Sequence, residues 1–205
     1  MLKINRFILL LLIILTNTAH SNESFEANYK KFTSTLFSSP EETLKQVSTF
    51  LESHRSTLNK EEKGKLLFME TRLNLMLGDM SGATQSLSNY KIIVEHFNDQ
   101  KRLYNFHNLS AVLFNALGLY KLALENLLEA YTIALARQEK VFIVQIEYNI
   151  AYQYIELGFY DKAKEYVTKY YEYATSVGDE RRMISGLSQL AIIAFNKGEL
   201  DTSLV

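Results

Sequence analysis

His54, His96 and His107 are the residues of this 205-residue chain best suited to proton transfer or metal ligation once the first 21 positions are set aside. A neutral imidazole titrates close to physiological pH and is a common metal ligand. His54-Arg55 and Glu95-His96 fall at helix ends, where histidine serves as a solvated or capping residue. His107 and Glu147 stand 40 residues apart in equivalent places. That spacing predicts a buried hydrogen-bonded pair across a helix interface, because one histidine and one carboxylate do not complete a metal shell. Cysteine is absent, which removes thiolate metal sites, disulfides and lipid attachment. No Gly-x-Ser-x-Gly elbow, phosphate-binding glycine loop or His-Glu-x-x-His pair occurs. No residue is therefore assigned a catalytic, metal-binding or cofactor-binding role, and the chain reads as a non-enzyme. Tyr160, Tyr166, Tyr170, Tyr171 and Tyr173 crowd one segment at helical spacing, which points to packing between helices. Lys60, Glu61, Glu62 and Lys63 form a charged helix start with a solvated face.

The elements that position these groups repeat every 40 residues. Gly78, Gly118, Gly158 and Gly198 keep that interval strictly. Thr71, Ala111, Ala151 and Ala191 precede them by seven positions, and Ala83, Ala123, Ala163 and Ser203 follow by five. Each unit is two amphipathic helices meeting at the glycine. Leu103, Phe106, Leu109, Leu113, Phe114 and Leu117 form one face at three- and four-residue steps, and Tyr120, Ala123, Leu127, Tyr131 and Ala134 form its partner. The glycine ends the first helix in a left-handed backbone, and the small residues let the two helices approach closely. The pattern predicts helices at 60–77, 81–97, 101–117, 120–137, 141–157, 160–177 and 181–197. The fold class is all-α, an α-solenoid of antiparallel helix pairs.

Residues 22–58 form a degenerate N-terminal pair. Phe25, Tyr29, Phe32 and Leu36 make one face and Val47, Phe50 and Leu51 the next. Ser39-Pro40-Glu41-Glu42 reads as a helix start with Ser39 as N-cap, Pro40 as first residue and Glu42 closing a capping box. Residues 59–205 carry the repeats, divided at 59–98, 99–138, 139–178 and an incomplete 179–205. The last unit leaves Leu187, Leu190, Ala191 and Ala194 without the helix that should cover them, so a fragment of a longer protein or a covering partner is expected. Ahead of all this, Lys3 and Arg6 precede an apolar run from Phe7 to Leu15 and then Ala19-His20-Ser21. That is the pattern of a cleaved secretory signal peptide over residues 1–21, and the run is too short for a spanning helix. Export to a periplasm or similar compartment follows. Membrane association would come only through a missing downstream segment or an uncleaved signal. Of 22 Lys+Arg and 23 Asp+Glu, the leader holds Lys3 and Arg6 and no acid, which leaves 20 against 23 and a charge of −3. That balance argues against nucleic acid as a partner.

Residues 107–134 and 147–174 resemble the tetratricopeptide repeat (TPR). Phe114 and Tyr154 match its first tyrosine, Tyr120 and Tyr160 its second, and Ala123 and Ala163 its central alanine. The position usually held by tryptophan carries Leu67, His107, Glu147 and Leu187. The resemblance implies a superhelix whose first helices line a groove for proteins or peptides. Counted in the family register, that wall carries Asn105, Asn108, Val112 and Asn115, then Gln145, Tyr148, Tyr152 and Glu156, then Ser185, Ser188, Ile192 and Asn196. Arg72 adds one cation. The family's two-carboxylate clamp uses Lys and Asn where Phe68 and Arg72 stand here, so that ligand is not expected. Tyr148 and Tyr152, one turn apart, are the anchors. Gly78, Gly118, Gly158, Gly198, Ala123 and Ala163 are the structural positions.

The order of parts also resembles bacterial membrane signalling proteins in which an exported repeat array precedes a GGDEF diguanylate cyclase or a histidine kinase. Three functions stay open on these grounds. They are the recognition module, probed by spaced amides and tyrosines in a groove; a free periplasmic scaffold for envelope or secretion assembly; and an exported enzyme with an unrecognised site.

Overall fold

The computed structural model describes residues 25–199, and the leader-like segment 1–21 lies outside them. Among the described residues the chain is helical throughout, with nine helices and no strand. They are α1 (residues 25–35), α2 (Pro40–Ser53), α3 (Lys60–Leu77), α4 (Met80–Phe97), α5 (Gln100–Ala116), α6 (Tyr120–Ala136), α7 (Lys140–Glu156), α8 (Tyr160–Val177) and α9 (Glu180–Lys197). Each of the seven expected repeat helices is present to within a residue at either end. The chain divides into two compact units that part inside α4, after Ile93.

In the N-terminal unit, Phe25, Phe32, Leu36, Val47, Phe50, Leu58, Leu66, Met69 and Leu73 form one apolar cluster. Phe50 packs edge-on against Phe32 at 5.8 Å and stacks on His54 at 4.1 Å. His54 caps the C-terminus of α2, and its Nδ1 lies 3.1 Å from the Phe50 carbonyl. The start of α2 differs from expectation. Ser39 precedes Pro40 as predicted, but at φ −147°, ψ 63° its hydroxyl makes no cap, and Glu42 instead accepts a hydrogen bond from Gln46. The capping box belongs to α3. Asn59, at the extended φ −73°, ψ 171°, accepts from the Glu62 amide while the Glu62 carboxylate accepts from the Asn59 amide, both at 2.9 Å. Glu62 is consequently buried, which corrects the solvated face read for Lys60–Lys63. Helices α3 and α4 touch at Gly64, where a Cβ would meet Ile93 Cγ2 at 2.9 Å.

In the C-terminal unit α5 packs on α6, α6 on α7, α7 on α8 and α8 on α9. Ala123 and Ala163 are wholly buried, as are Ala130, Ala134, Ala151 and Ala174. These methyls bring the helix axes together with little side-chain bulk between them. Gly118 and Gly158 end their helices at φ 72° and 76°, and nothing lies within 4 Å of where a Cβ would stand. Their requirement is thus the left-handed backbone and not space. The turns between pairs hold a second 40-residue series of left-handed residues, Asn98 (φ 47°), Gln138 (φ 55°) and Gly178 (φ 69°). Asn59, Asp99, Glu139 and Asp179 follow as N-cap positions at the same interval. On α9, Ile184, Leu187, Ile192 and Phe195 are exposed, and Leu187 stands in register with the buried Glu147.

Candidate functional site

His107 and Glu147 do not meet. His107 Nδ1 lies 3.0 Å from Asn126 Oδ1, and Glu147 accepts a hydrogen bond from the Tyr131 hydroxyl at 2.9 Å. Both partners are on α6, which supplies a nearer group to each. Burial raises the Glu147 carboxyl above its ordinary value, partly offset by the Tyr131 hydrogen bond and by Lys169 and Lys140. Burial also raises Tyr131, with the Glu147 hydrogen bond adding to it. This is a packed polar contact inside a helix interface. Among the described residues no group of three or more His, Asp or Glu is placed to hold a metal ion.

Two openings lie in the C-terminal unit. The larger, about 430 Å³, is lined by Gln145 and Tyr148 of α7, Tyr170 of α8, and Asp179, Arg181, Arg182 and Ser185 around the start of α9. The Tyr148 and Tyr170 rings lie 4.8 Å apart at 43°. Tyr170 is buried, which raises its hydroxyl above the usual phenol range, and Ser185 hydrogen-bonds it. Asp179 caps α9 by accepting from the Arg182 amide at 3.0 Å and pairs with the Arg182 guanidinium. Those hydrogen bonds hold the Asp179 carboxyl below the usual range. Arg181 adds a second guanidinium, so positive charge exceeds negative on this wall.

The smaller opening, about 110 Å³, lies between α5 and α7. Ala111, Val112 and Leu127 make its apolar part, and Asn115, Asn149, Tyr152 and Gln153 complete it. Tyr152 is partly exposed, and its hydroxyl is raised by burial and by the neighbouring Glu156, which hydrogen-bonds it.

The structure therefore brings Gln145, Tyr148 and Ser185 to one opening and Val112, Asn115 and Tyr152 to the other. Asn105, Asn108, Glu156, Ser188, Ile192 and Asn196 line neither. Ser188 returns its hydroxyl to the Ile184 carbonyl at 2.8 Å. Arg72 belongs to the N-terminal unit, where its guanidinium lies over the Phe37 and Phe68 rings at 5.7 and 5.8 Å. Tyr170, Arg181, Arg182, Asn149 and Gln153 were not singled out from sequence as site residues. One signal was present: Asp179 and Arg182 repeat Asp99 and Arg102, which make the same cap two units earlier.

Solved structures carry the same architecture. A Podosopora anserina protein described as a putative kinesin light chain with nearly identical TPR-like repeats superposes with a TM-score of 0.69 over 86% of this chain and 88% of its own, at 16% identity. The fold is TPR-like. A second crystal structure of that protein, carrying a single substitution, superposes equally well, with a TM-score of 0.69 over 86% of this chain and 87% of its own, again at 16% identity. No protein-family model matches the chain, and no curated protein matches it in sequence.

Proposed function

We propose that the C-terminal unit of this TPR-like chain is a peptide-binding module whose ligand lies along the first helices of its pairs. One observation carries the reading: the opening of about 430 Å³ gathers Tyr148, Tyr170, Ser185 and two guanidiniums from α7, α8 and α9. An aromatic pair offers area at low conformational cost, and an excess of positive charge selects an acidic segment. Asp179, the carboxylate on this wall, is held by the Arg182 amide and guanidinium.

Export to a periplasm, and service as the sensor portion of a membrane signalling protein, are further parts of this proposal. Their support is the Lys3, Arg6, Phe7–Leu15 and Ala19-His20-Ser21 pattern, together with the order of parts along the chain. Among the described residues no helix is long and apolar enough to cross a membrane.

The test is selection of peptides from a displayed library by the full chain, followed by the Arg181→Glu variant. Arg181 is exposed, so the exchange leaves the core intact. Enriched acidic peptides whose binding falls at least tenfold in the variant, with unchanged helical circular dichroism, support the site. Full retention of every selected peptide by the variant sinks it.

A further inference from the structure

The repeat register reveals a local exchange of chemistry. Leu73, Leu113 and Ile193 are buried apolar residues at one register position, and the remaining repeat has Gln153 there. Four residues earlier, Met69 and Leu109 are buried where Asn149 stands, and the last repeat has Gln189. Leu75, Ile155 and Phe195 hold the position taken by Asn115. Gln153 and Asn115 thus occupy places that the other three repeats give to hydrocarbon, Asn149 occupies one that two of them do, and all three carboxamides line the same opening of about 110 Å³.

Gln153 is only 3% exposed. Its Nε2 donates to Asn115 Oδ1 at 3.0 Å, while its Oε1 is buried with no hydrogen-bond partner. Turning both amides over reverses that bond and leaves Nε2 unmatched instead. In either orientation one polar atom of a buried side chain is unsatisfied, a cost that the apolar residue of the neighbouring repeats does not carry. Packing alone does not account for glutamine here.

We propose that this pocket receives an amide group of the bound peptide. Every polar group on its wall is uncharged, so it offers nothing to neutralise a carboxylate or an ammonium. An amide presents a donor and an acceptor together and so satisfies Gln153 in either orientation. Ala111, Val112 and Leu127 take the attached carbon, and the Tyr152 ring forms a side wall. The amide comes from an Asn or Gln side chain or from the peptide backbone. The assignment rests on the peptide-binding reading above, yet its test uses no peptide.

Acetamide, N-methylacetamide and acetone are titrated into the ¹⁵N-labelled full chain while the side-chain amide signals of Asn115, Asn149 and Gln153 are followed. The expected result is a saturable shift with acetamide, weakened about tenfold by Gln153→Met, the loss that follows from removing one good hydrogen bond. Saturation by acetamide alone supports a side-chain carboxamide, and saturation by N-methylacetamide as well supports the peptide group. Asn149→Leu guards against a folding defect, since it installs the residue that the preceding repeat carries at this place, and it too should weaken the shift. Acetone binding as well as acetamide, or no saturable shift with either amide, overturns the assignment. That failure, beside a loss of peptides in Arg181→Glu, would leave the groove standing and remove only the amide pocket.

Discussion

The α1–α2 pair and the α7–α8 pair solve one packing problem in opposite ways. In the first, the space between helices is filled by rings: Phe25, Phe32 and Phe50 are buried together, and Thr43 stands where the later pairs have alanine. Its hydroxyl is bonded to Thr35 Oγ1 and to the Ser39 carbonyl, both at 2.8 Å. In the second, Ala151, Ala163 and Ala174 are wholly buried and the helices close over methyl groups. The turn differs as well. Gly158 has φ 76°, whereas the equivalent residue between α1 and α2 is Ser38. As a result α2 keeps the register, with Val47 buried like Leu87, Leu127 and Val167, while α1 slips out of it. Lys31 is exposed where Thr71, Ala111 and Ala151 are buried. One register therefore survives two kinds of core, one sensitive to losing volume and the other to gaining it.

Deletion should hurt most at the ring-filled pair. Phe32→Ala removes a ring that is 2% exposed, and a loss of about 3–5 kcal/mol is expected in urea unfolding. A loss under about 1 kcal/mol would dissolve the contrast. Addition should hurt at the methyl-lined pair: Ala163→Leu has no space to enter, and overpacking costs about 1–3 kcal/mol. An unchanged thermal midpoint in that variant would show the register to be wrong. The smallest effect sharpens the comparison by charge. Glu147 is held with its carboxyl raised above the ordinary 4.5, so the folded chain binds that proton more tightly than the unfolded chain does. Its contribution to stability therefore falls as pH rises from the ordinary 4.5 through the raised value. Glu147→Gln keeps an acceptor for Tyr131 and loses this dependence, so its stability relative to the parent should climb across that window. Parallel stability–pH curves for the two proteins would refute the buried ionisation.

The helices and the close alanines were readable because each rests on a property that sequence displays directly. Gly118 needs a left-handed backbone and Ala163 needs a small volume, and few residues supply either. The second left-handed series stayed hidden because Asn98, Gln138 and Gly178 share a conformation without sharing a residue type. Capping misled for a related reason, since Ser39 has the right side chain on the wrong backbone. For the site, the family register singled out Tyr148 and Tyr152, which stand at different openings, while the groups joining Tyr148 from α8 and the start of α9 depend on how helices are placed against one another. Gln153 was legible in principle, as a polar break in the column of Leu73, Leu113 and Ile193.

Within the C-terminal unit, contacts run almost wholly between helices adjacent in sequence, with α7 and α9 touching as well. Little chain must be looped to form such contacts, so folding should be fast and should spread outward from any pair. The same connectivity makes opening local. Among the described residues α9 leans on α8 and only lightly on α7, so its amides should exchange with solvent by opening events smaller than global unfolding. The larger cleft has one wall on that helix. A ligand spanning Tyr148 and Arg181 would tie α9 to α7 as well as to α8, and its arrival would register as slowed exchange along α9.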